Sequence, residues 1–266
     1  MGEMNDFSQQ IEFLQEHSTY ARRWLSARPE WVKWLRACGS KKIDFQGIEE
    51  LLAAYKVALG GQDQDEAEFM ANLRLARQRL MLWVAFRDLN DMASLEEVTH
   101  SLSHFAELAV SDSIAFVRTD LKTRFGLPWS KTTDSEMPLM VVGMGKLGGL
   151  ELNLSSDIDL IFLYEHEGET VGADKSLSNH EWFTRMGKRL IKLLAEYESN
   201  GFVFRVDMRL RPNGDSGPLV CSLDMLEEYL LVQGREWERY AWIKGRLIAP
   251  LPGSPDFAHC QKELDQ

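Results

Sequence analysis

Hydrophobic side chains recur at helical spacing through the first 125 residues, a stretch with few glycines and prolines. Residues three or four positions apart share one face of a helix, so such a series marks a face that packs into a core. Two series have this form: Phe69, Leu73, Ala76, Leu80 and Trp83, followed by Leu95, Val98, Leu102, Phe105 and Leu108. We predict a helical bundle with Met and Trp in its core, although a groove for a partner protein would show the same spacing.

A capping pattern predicts where the second of these helices begins. Ser94 is followed three residues later by Glu97, directly before the hydrophobic series. In a capping box the serine side chain accepts a hydrogen bond from the backbone N–H of the third helical residue, and the glutamate returns one to the serine N–H. We therefore expect the helix to begin at Ser94.

The pattern changes after residue 131, where short hydrophobic runs alternate with polar turns. Strands are predicted over residues 139–142, 157–164 and 202–210. A helix is predicted over residues 178–198, with a buried face made of Trp182, Met186, Leu190, Leu193 and Leu194. After Cys221 the spacing is helical again, with Met225, Leu226 and Tyr229 on one face.

These elements predict an α+β fold, in which a mixed domain of strands and helices follows a helical region. We divide the chain into a helical N-terminal region over residues 1–130, a mixed core over residues 131–220 and a further helical region over residues 221–266. The sequence APLPGSPDF, residues 249–257, has the composition of a linker or domain boundary.

Composition is that of an ordinary soluble globular protein of 266 residues, with 44% hydrophobic and 27% charged residues. The net charge of −11 argues against non-specific nucleic-acid binding, which needs many cationic contacts to phosphate. A small nucleotide remains compatible, because divalent cations neutralise both phosphate and acidic side chains. The three scattered cysteines predict reduced thiols, and no hydrophobic run reaches 18 residues, so we expect a cytoplasmic protein without membrane contact.

The sequence GMGKLGGLELNLSSDIDLIFLY, residues 143–164, combines a glycine loop with two aspartates. It is not a P-loop, because Met140 stands where the first glycine should be and Leu147 where Ser or Thr should be. The order G-x-G-x-x-G fits the dinucleotide fingerprint, and Glu165 lies near the position of a ribose-binding acid. However, only eight residues separate Gly148 from Asp157, whereas a parallel crossover needs a dozen or more.

Asp157 and Asp159 lie two residues apart at the entrance of a hydrophobic strand. Residues i and i+2 of a strand point to the same face, so both carboxylates converge on one region. Two neighbouring anions repel unless a positive charge stands between them, and a hard divalent cation with oxygen ligands is the usual solution. We predict metal binding here; solvated acids ahead of a strand are the alternative.

The sequence FVFRVDMRLR, residues 202–211, alternates hydrophobic and polar positions. One predicted face, facing the core, holds Phe202, Phe204, Val206, Met208 and Leu210, and the other holds Val203, Arg205, Asp207, Arg209 and Arg211. The second face would be a solvated row of ion pairs, or it would supply a third carboxylate and several phosphate-binding arginines. Three carboxylates, two metal ions, a glycine loop and arginines together predict nucleotidyl transfer.

These motifs resemble the nucleotidyltransferase superfamily with a polymerase-beta-like fold, and more narrowly the bifunctional glutamine synthetase adenylyltransferase/adenylyl-removing enzymes. The resemblance rests on GMGKLGGLELNLSSDIDLIF, FRVDMRLRPNGDSGPLV, QGREWERYAWIKGR and RQRLMLWVAFRDL, and it spans roughly residues 70–250. Members of this family have two related halves, one removing AMP from a glutamine synthetase tyrosine with phosphate to release ADP, the other adding AMP from ATP.

The wording of RPNGDSGPLV and WERYAWIKGR looks more like the removing half, so the resemblance implies a truncated N-terminal fragment with adenylyl-removing activity. The alternatives are the transferring half, or a regulatory module that binds nucleotide without turnover. The resemblance also implies glutamine synthetase as protein substrate, phosphate and an adenine nucleotide as small ligands, and a PII signalling protein as regulator.

The resemblance implies Mg²⁺ or Mn²⁺, as two ions, at Asp157, Asp159 and Asp207. The residues that we assign to nucleotide and phosphate binding are Gly145, Lys146, Gly148, Gly149, Ser156, Arg205, Arg209 and Arg211. Lys146 departs from the wider superfamily, which has serine at that position; it would supply a charge to phosphate or simply begin a helix.

Several further residues have open or ordinary roles. Trp237, Tyr240 and Trp242 would either stack on adenine or pack in the core. Glu236 and Glu238 are expected on a solvated helix face. His104 and His166 have no companions at metal-binding spacing, and we predict ordinary roles for both.

Overall fold

A computed structural model describes residues 2–58, 65–130 and 133–265. The chain forms two compact units, Met1–Phe105 with Glu198–Gly201, and Ala106–Tyr197 with Phe202–Gln266. The α+β prediction is confirmed, because a helical N-terminal region precedes a mixed sheet with flanking helices. The predicted division at residues 130 and 220 stays a prediction.

The N-terminal part of the first unit is helical in the residues that the structure describes, and Glu198–Gly201 adds a turn closed by a β-bridge. Its helices are α1 (Gly2–His17), α2 (Thr19–Ala27), α3 (Glu30–Cys38), α4 (Phe45–Ala58), α5 (Glu66–Leu89) and the first part of α6 (Leu95–Phe125). Both predicted hydrophobic faces are buried, with one exception. Leu95 is 79% exposed because it is the first residue of α6, at the open end of the helix.

The predicted capping box at the start of α6 is half confirmed. The N–H of Glu97 donates to Ser94 Oγ at 3.1 Å, as a serine cap requires. The Glu97 carboxylate instead accepts from the Arg87 guanidinium, with Nε–Oε1 at 2.6 Å, and from the backbone N–H of Ile43. Glu97 and Arg87 are both buried, so the pair joins α5 and α6 inside the first unit.

The second unit contains two sheets and several helices. Its strands are β1 (Leu127–Ser130), β2 (Ser135–Glu136), β3 (Met140–Gly143), β4 (Ile158–Tyr164), β5 (Thr170–Val171), β6 (Val206–Asp207), β7 (Val220–Ser222) and β8 (Arg246–Ala249). Its helices, besides the second part of α6, are α7 (Gly145–Gly148), α8 (Asn179–Ala195), α9 (Leu223–Val232), α10 (Glu236–Ala241) and α11 (Phe257–Leu264), with a 3₁₀ turn at Trp242–Lys244.

The larger sheet has five strands and is mixed, with β4 at its centre. β3 pairs antiparallel with β4 and, on its other side, with β8. The second edge of β4 pairs in parallel with β6 near its beginning and with β7 near its end. β1 lies between β2 and β5 in a separate antiparallel sheet. The antiparallel β3–β4 pair agrees with the short connection that argued against a dinucleotide-binding crossover.

The strands predicted over residues 139–142 and 157–164 and the helix predicted over residues 178–198 are confirmed as β3, β4 and α8. Within α8 every residue of the predicted face is buried. The helix predicted after Cys221 is confirmed as α9, in which Leu226 is buried and Met225 is exposed.

The strand predicted over residues 202–210 is wrong over most of its length, because β6 is only Val206–Asp207. The backbone N–H groups of Val203 and Phe204 both donate to the carbonyl of Leu194 at the end of α8, which takes them out of any strand pairing. Val203 and Phe204 are therefore both buried, and the predicted alternation of faces fails there.

None of the described helices is both long and apolar enough to cross a membrane.

Candidate active site

Asp159 and Asp207 are directly paired across two neighbouring parallel strands, β4 and β6. Asp157 immediately precedes β4, two residues before Asp159. Side chains at i and i+2 of an extended segment share a face, so the fold brings the three predicted carboxylates to one region. The two segments that supply them are far apart in sequence and meet only through the sheet.

The electrostatics of this region are those of crowded negative charge. Burial raises the pKa of the Asp159 carboxyl above its usual value, and the charges of Asp207 and Asp157 raise it further. Arg209 and Lys146 oppose that rise. The pKa of Asp207 is lowered instead, mainly by its hydrogen bond from Arg209. Asp159 is therefore the carboxylate for which a nearby cation would be most favourable.

Arg209 holds both oxygens of Asp207. Its Nε lies 3.0 Å from Oδ1 and 2.8 Å from Oδ2, and its backbone N–H donates to Oδ1 at 2.8 Å. Within residues 2–58, 65–130 and 133–265, no three His, Cys, Asp or Glu side chains are arranged to hold a metal ion. The donor chemistry nevertheless suits a hard divalent cation, because carboxylate oxygens are its usual ligands and Asp159 lies near enough to Asp207 and Asp157 to feel both charges.

The glycine loop forms α7, a single turn of helix directly after β3. Gly145 has a φ of +54°, a conformation that favours glycine. A Cβ at this position would lie 3.2 Å from Asp159 Oδ2, so the backbone of the loop closely approaches that carboxylate. The N–H of Met144 donates to the carbonyl of Asp159 at 2.9 Å, which attaches the start of α7 to β4.

Gly148 is buried at the other end of α7. A Cβ there would lie 1.6 Å from the Lys244 carbonyl oxygen and 2.5 Å from that of Gly143, so no larger residue fits. Its N–H donates to Met144 and that of Gly149 donates to Gly145. Both glycines therefore shape the turn, and the first amides of α7 are the ones that lack an intrahelical acceptor.

Polar side chains connect the glycine loop with the turn before β4. Lys146 is exposed, and its Nζ lies 3.4 Å from Ser156 Oγ. Ser156 Oγ donates to Asn153 Oδ1 at 2.8 Å, and the same oxygen accepts the N–H of Ser155. These hydrogen bonds bring the assigned residues Lys146 and Ser156 together. They also include Asn153, which the sequence did not single out.

The remaining assigned arginines have different surroundings. Arg205 is exposed, and its Nη2 donates to the Ser155 carbonyl at 2.6 Å, which braces the turn before Asp157. Arg211 is mostly buried and donates to the Met208 carbonyl at 2.7 Å. Its Nε is buried without a hydrogen-bond partner in the described part of the chain. A buried donor without a partner carries a desolvation cost, so this nitrogen is a polar group that the described structure leaves unsatisfied.

Two further ion pairs hold the loop and were not foreseen. Arg246 Nε donates to the Gly148 carbonyl at 3.0 Å, and its Nη2 donates to the Leu147 carbonyl and to Glu107. Lys244 Nζ lies 2.6 Å from Glu151 Oε2. No local sequence pattern predicts these two ion pairs. The hydrogen bonds of Asn153 could have been predicted, because it begins a turn sequence, Asn-Leu-Ser-Ser, in which the asparagine side chain commonly bonds to the backbone.

The three candidate aromatic residues do not share one role. Trp242 packs partly buried against the core around β3, as the packing alternative predicted. Core packing is wrong for Trp237 and Tyr240, which are 53% and 71% exposed because α10 buries none of its residues.

His166 lies 2.8 Å from Glu165, and His259 lies 3.1 Å from the other oxygen of that buried carboxylate.

Known proteins resemble this chain over nearly its whole length. The family model described as glutamate-ammonia ligase adenylyltransferase matches residues 8–259. The chain is 47% identical over 256 residues to the bifunctional glutamine synthetase adenylyltransferase/adenylyl-removing enzyme of Ralstonia nicotianae, covering 96% of this chain and 26% of that protein. The proteins of the same name in Aromatoleum aromaticum and Nitrosomonas europaea are each 49% identical, over 87% of this chain and 24% and 25% of theirs.

The chain thus spans about a quarter of the length of the curated relatives that it matches. The family match spans most of both units and includes every residue of the candidate site. The chain therefore belongs to the glutamate-ammonia ligase adenylyltransferase family.

Proposed function

We propose that this chain carries the adenylyl-removing activity, in which phosphate releases AMP from a modified glutamine synthetase tyrosine as ADP. The observation that carries the proposal is the pairing of Asp159 with Asp207, beside Asp157 and against the glycine loop. A set of converging carboxylates next to a loop of backbone amides suits an in-line displacement at phosphorus.

Asp157, Asp159 and Asp207 would hold Mg²⁺ or Mn²⁺, as two ions. When bound, such ions neutralise charge on the phosphate oxygens and on the leaving oxygen. For Asp207 to take part, Arg209 would have to release it. The freed guanidinium, exposed on the surface, would then be available to a phosphate oxygen.

The remaining site residues would bind and orient the inorganic phosphate and the AMP phosphoryl group. The first amides of α7, Lys146 and the Arg211 guanidinium are the donors that we assign to the non-reacting oxygens. An oxygen of inorganic phosphate forms the new bond to the AMP phosphorus while the bond from phosphorus to the tyrosine oxygen breaks. The tyrosine oxygen takes up the proton that phosphate loses, and ADP and unmodified tyrosine result.

Transfer of AMP from ATP would use the same carboxylates, and the printed name of the relatives covers both activities. We favour removal on the resemblance of RPNGDSGPLV and WERYAWIKGR to the removing half. Regulation by a PII protein is proposed on the same resemblance.

The test is to incubate the purified chain with AMP-modified glutamine synthetase, Mg²⁺ and phosphate, and to follow ADP. We expect phosphate-dependent ADP that disappears in Asp159→Asn and persists in Asp174→Asn, a matched change at an exposed aspartate outside the site. Labelling of unmodified synthetase from ATP, without ADP release, would assign the transferring activity instead. Nucleotide binding without either reaction would identify an inert binding module.

A further inference from the structure

Arg246 contacts the last residues of the glycine loop, whereas Gly145 at its start approaches Asp159. Arg246 is the first residue of β8 and the pairing partner of Gly143, the last residue of β3 before the loop begins. Its guanidinium donates to the carbonyls of Leu147 and Gly148 at 3.1 and 3.0 Å. These are the last two carbonyls of α7, so Arg246 caps the C-terminal end of that turn.

Glu107 on α6 orients the same guanidinium. Glu107 is only 2% exposed, and its carboxylate accepts from Arg246 Nη2. A buried carboxylate needs a charged partner, and this one has Arg246, which is itself mostly buried. The planar guanidinium can donate to the two loop carbonyls and the carboxylate at once, whereas a lysine ammonium presents a single point charge.

A single turn of helix does not hold its own conformation, because helix formation begins with an unfavourable nucleus. α7 is fixed from outside at both ends. Its start is attached to β4 through Met144 and Asp159, and its end is attached to β8 through Arg246. The guanidinium also satisfies carbonyls that the end of a helix leaves without an intrahelical donor.

We propose that Arg246 is a positioning residue for the phosphate-binding loop, oriented by Glu107. It touches neither nucleotide nor metal, and it acts by fixing α7 so that the first amides and Lys146 keep their place relative to the carboxylates. The proposal rests on the proposed function, since it assigns α7 to phosphate. It predicts that replacing the Arg246 guanidinium weakens phosphate binding more than it slows the chemical step.

The test compares Arg246→Lys and Glu107→Gln with the unchanged chain. We expect the KM for phosphate to rise roughly tenfold in Arg246→Lys with a smaller change in kcat, and to rise less in Glu107→Gln. Amide hydrogen exchange of residues 145–150 should accelerate in both variants. The control is Arg118→Lys, which alters another ion pair of α6, with Glu136, and has no contact with the loop in the described chain.

Unchanged exchange over residues 145–150 together with an unchanged KM would overturn the proposal. A fall in kcat alone, with KM and exchange unchanged, would also overturn it, because a positioning role acts through the loop. If the unchanged chain shows no phosphorolysis, ADP titration by calorimetry replaces KM, and the exchange comparison still decides. Failure of the proposed function and failure of this inference are therefore distinguishable.

Discussion

Gly148 lies against the carbonyl of Lys244 so closely that a Cβ on Gly148 would stand 1.6 Å from that oxygen. The obstacle is backbone on both sides, since the Gly143 carbonyl is the next nearest atom, so no side-chain movement relieves it. The close approach joins the glycine loop to the 3₁₀ turn at Trp242–Lys244.

Gly148→Ala is therefore expected to destabilise the chain by about 3 kcal/mol or more, since the backbone must move to accept the methyl group. Denaturant unfolding measures the change. Gly149→Ala is the matched control for stability, because there the nearest atom is 3.3 Å away on the flexible Glu151 side chain. Equal losses in both variants would mean that the loop tolerates the Cβ by shifting as a whole.

Asp159→Asn should abolish activity without lowering stability at pH 7. The pKa of Asp159 is raised by burial and by its two acidic neighbours, so ionisation of this group opposes folding. The contribution to stability is present below the unfolded pKa near 3.8 and is lost as pH rises through the higher folded pKa. Thermal unfolding from pH 4 to 8 checks this: the variant should equal or exceed the parent at neutral pH.

Mg²⁺ or Mn²⁺ should raise the unfolding temperature if the three carboxylates bind it. A ligand that binds only the folded state adds about 2.7 kcal/mol at one hundred times its dissociation constant. The shift should disappear in Asp159→Asn and remain in Asp174→Asn. An equal shift in all three proteins would assign the ion to another place.

The thiols should react slowly in the folded chain. Burial raises the pKa of Cys221 to about 12, and Cys38 and Cys260 reach about the same value. Because the folded pKa lies above the unfolded value of 9, stability from these groups is complete below pH 9 and declines as pH rises towards 12. Iodoacetamide at pH 8 should label the unfolded chain fully and the folded chain far more slowly, and rapid labelling of Cys221 would contradict its burial.

Arg87→Met should destabilise the first unit by about 3–5 kcal/mol, because it leaves the buried Glu97 carboxylate without its charged partner. Arg22→Met is the control. Arg22 is exposed and donates only to nearby helix carbonyls in the described structure, so its loss should cost under about 0.5 kcal/mol. Similar losses in the two variants would show that Glu97 finds another partner.

Local spacing was enough to predict much of this molecule. The buried faces of α5 and α8 and the serine cap of α6 all depend on residues within a few positions of each other. The predictions that failed concern segments whose structure depends on residues far away in sequence. The strand predicted over residues 202–210 is shorter in the structure because the N–H groups of Val203 and Phe204 donate to a carbonyl of α8. An alternating pattern in the sequence does not reveal such a contact.

The contacts that hold the candidate site in place could not be predicted either, because they join residues far apart in sequence. Arg246 and Glu107 are 139 residues apart, and the arginine sits in a sequence rich in other charges. Arg209 was assigned to phosphate binding, and that assignment stays a prediction. In the structure its guanidinium pairs with Asp207, through a side-chain conformation that spacing does not determine.

The parallel pairing of β4 with β6 has a consequence for the order of folding. Asp159 lies in β4 and Asp157 directly precedes it, and β4 pairs with β3 across the single connection that contains α7. Asp207 arrives only after the chain has also passed through β5 and α8. Contacts of long sequence separation form slowly, because the loop entropy is lost before they contribute. A chain caught early in folding would thus present two of the three carboxylates, and the last one would arrive with the native topology.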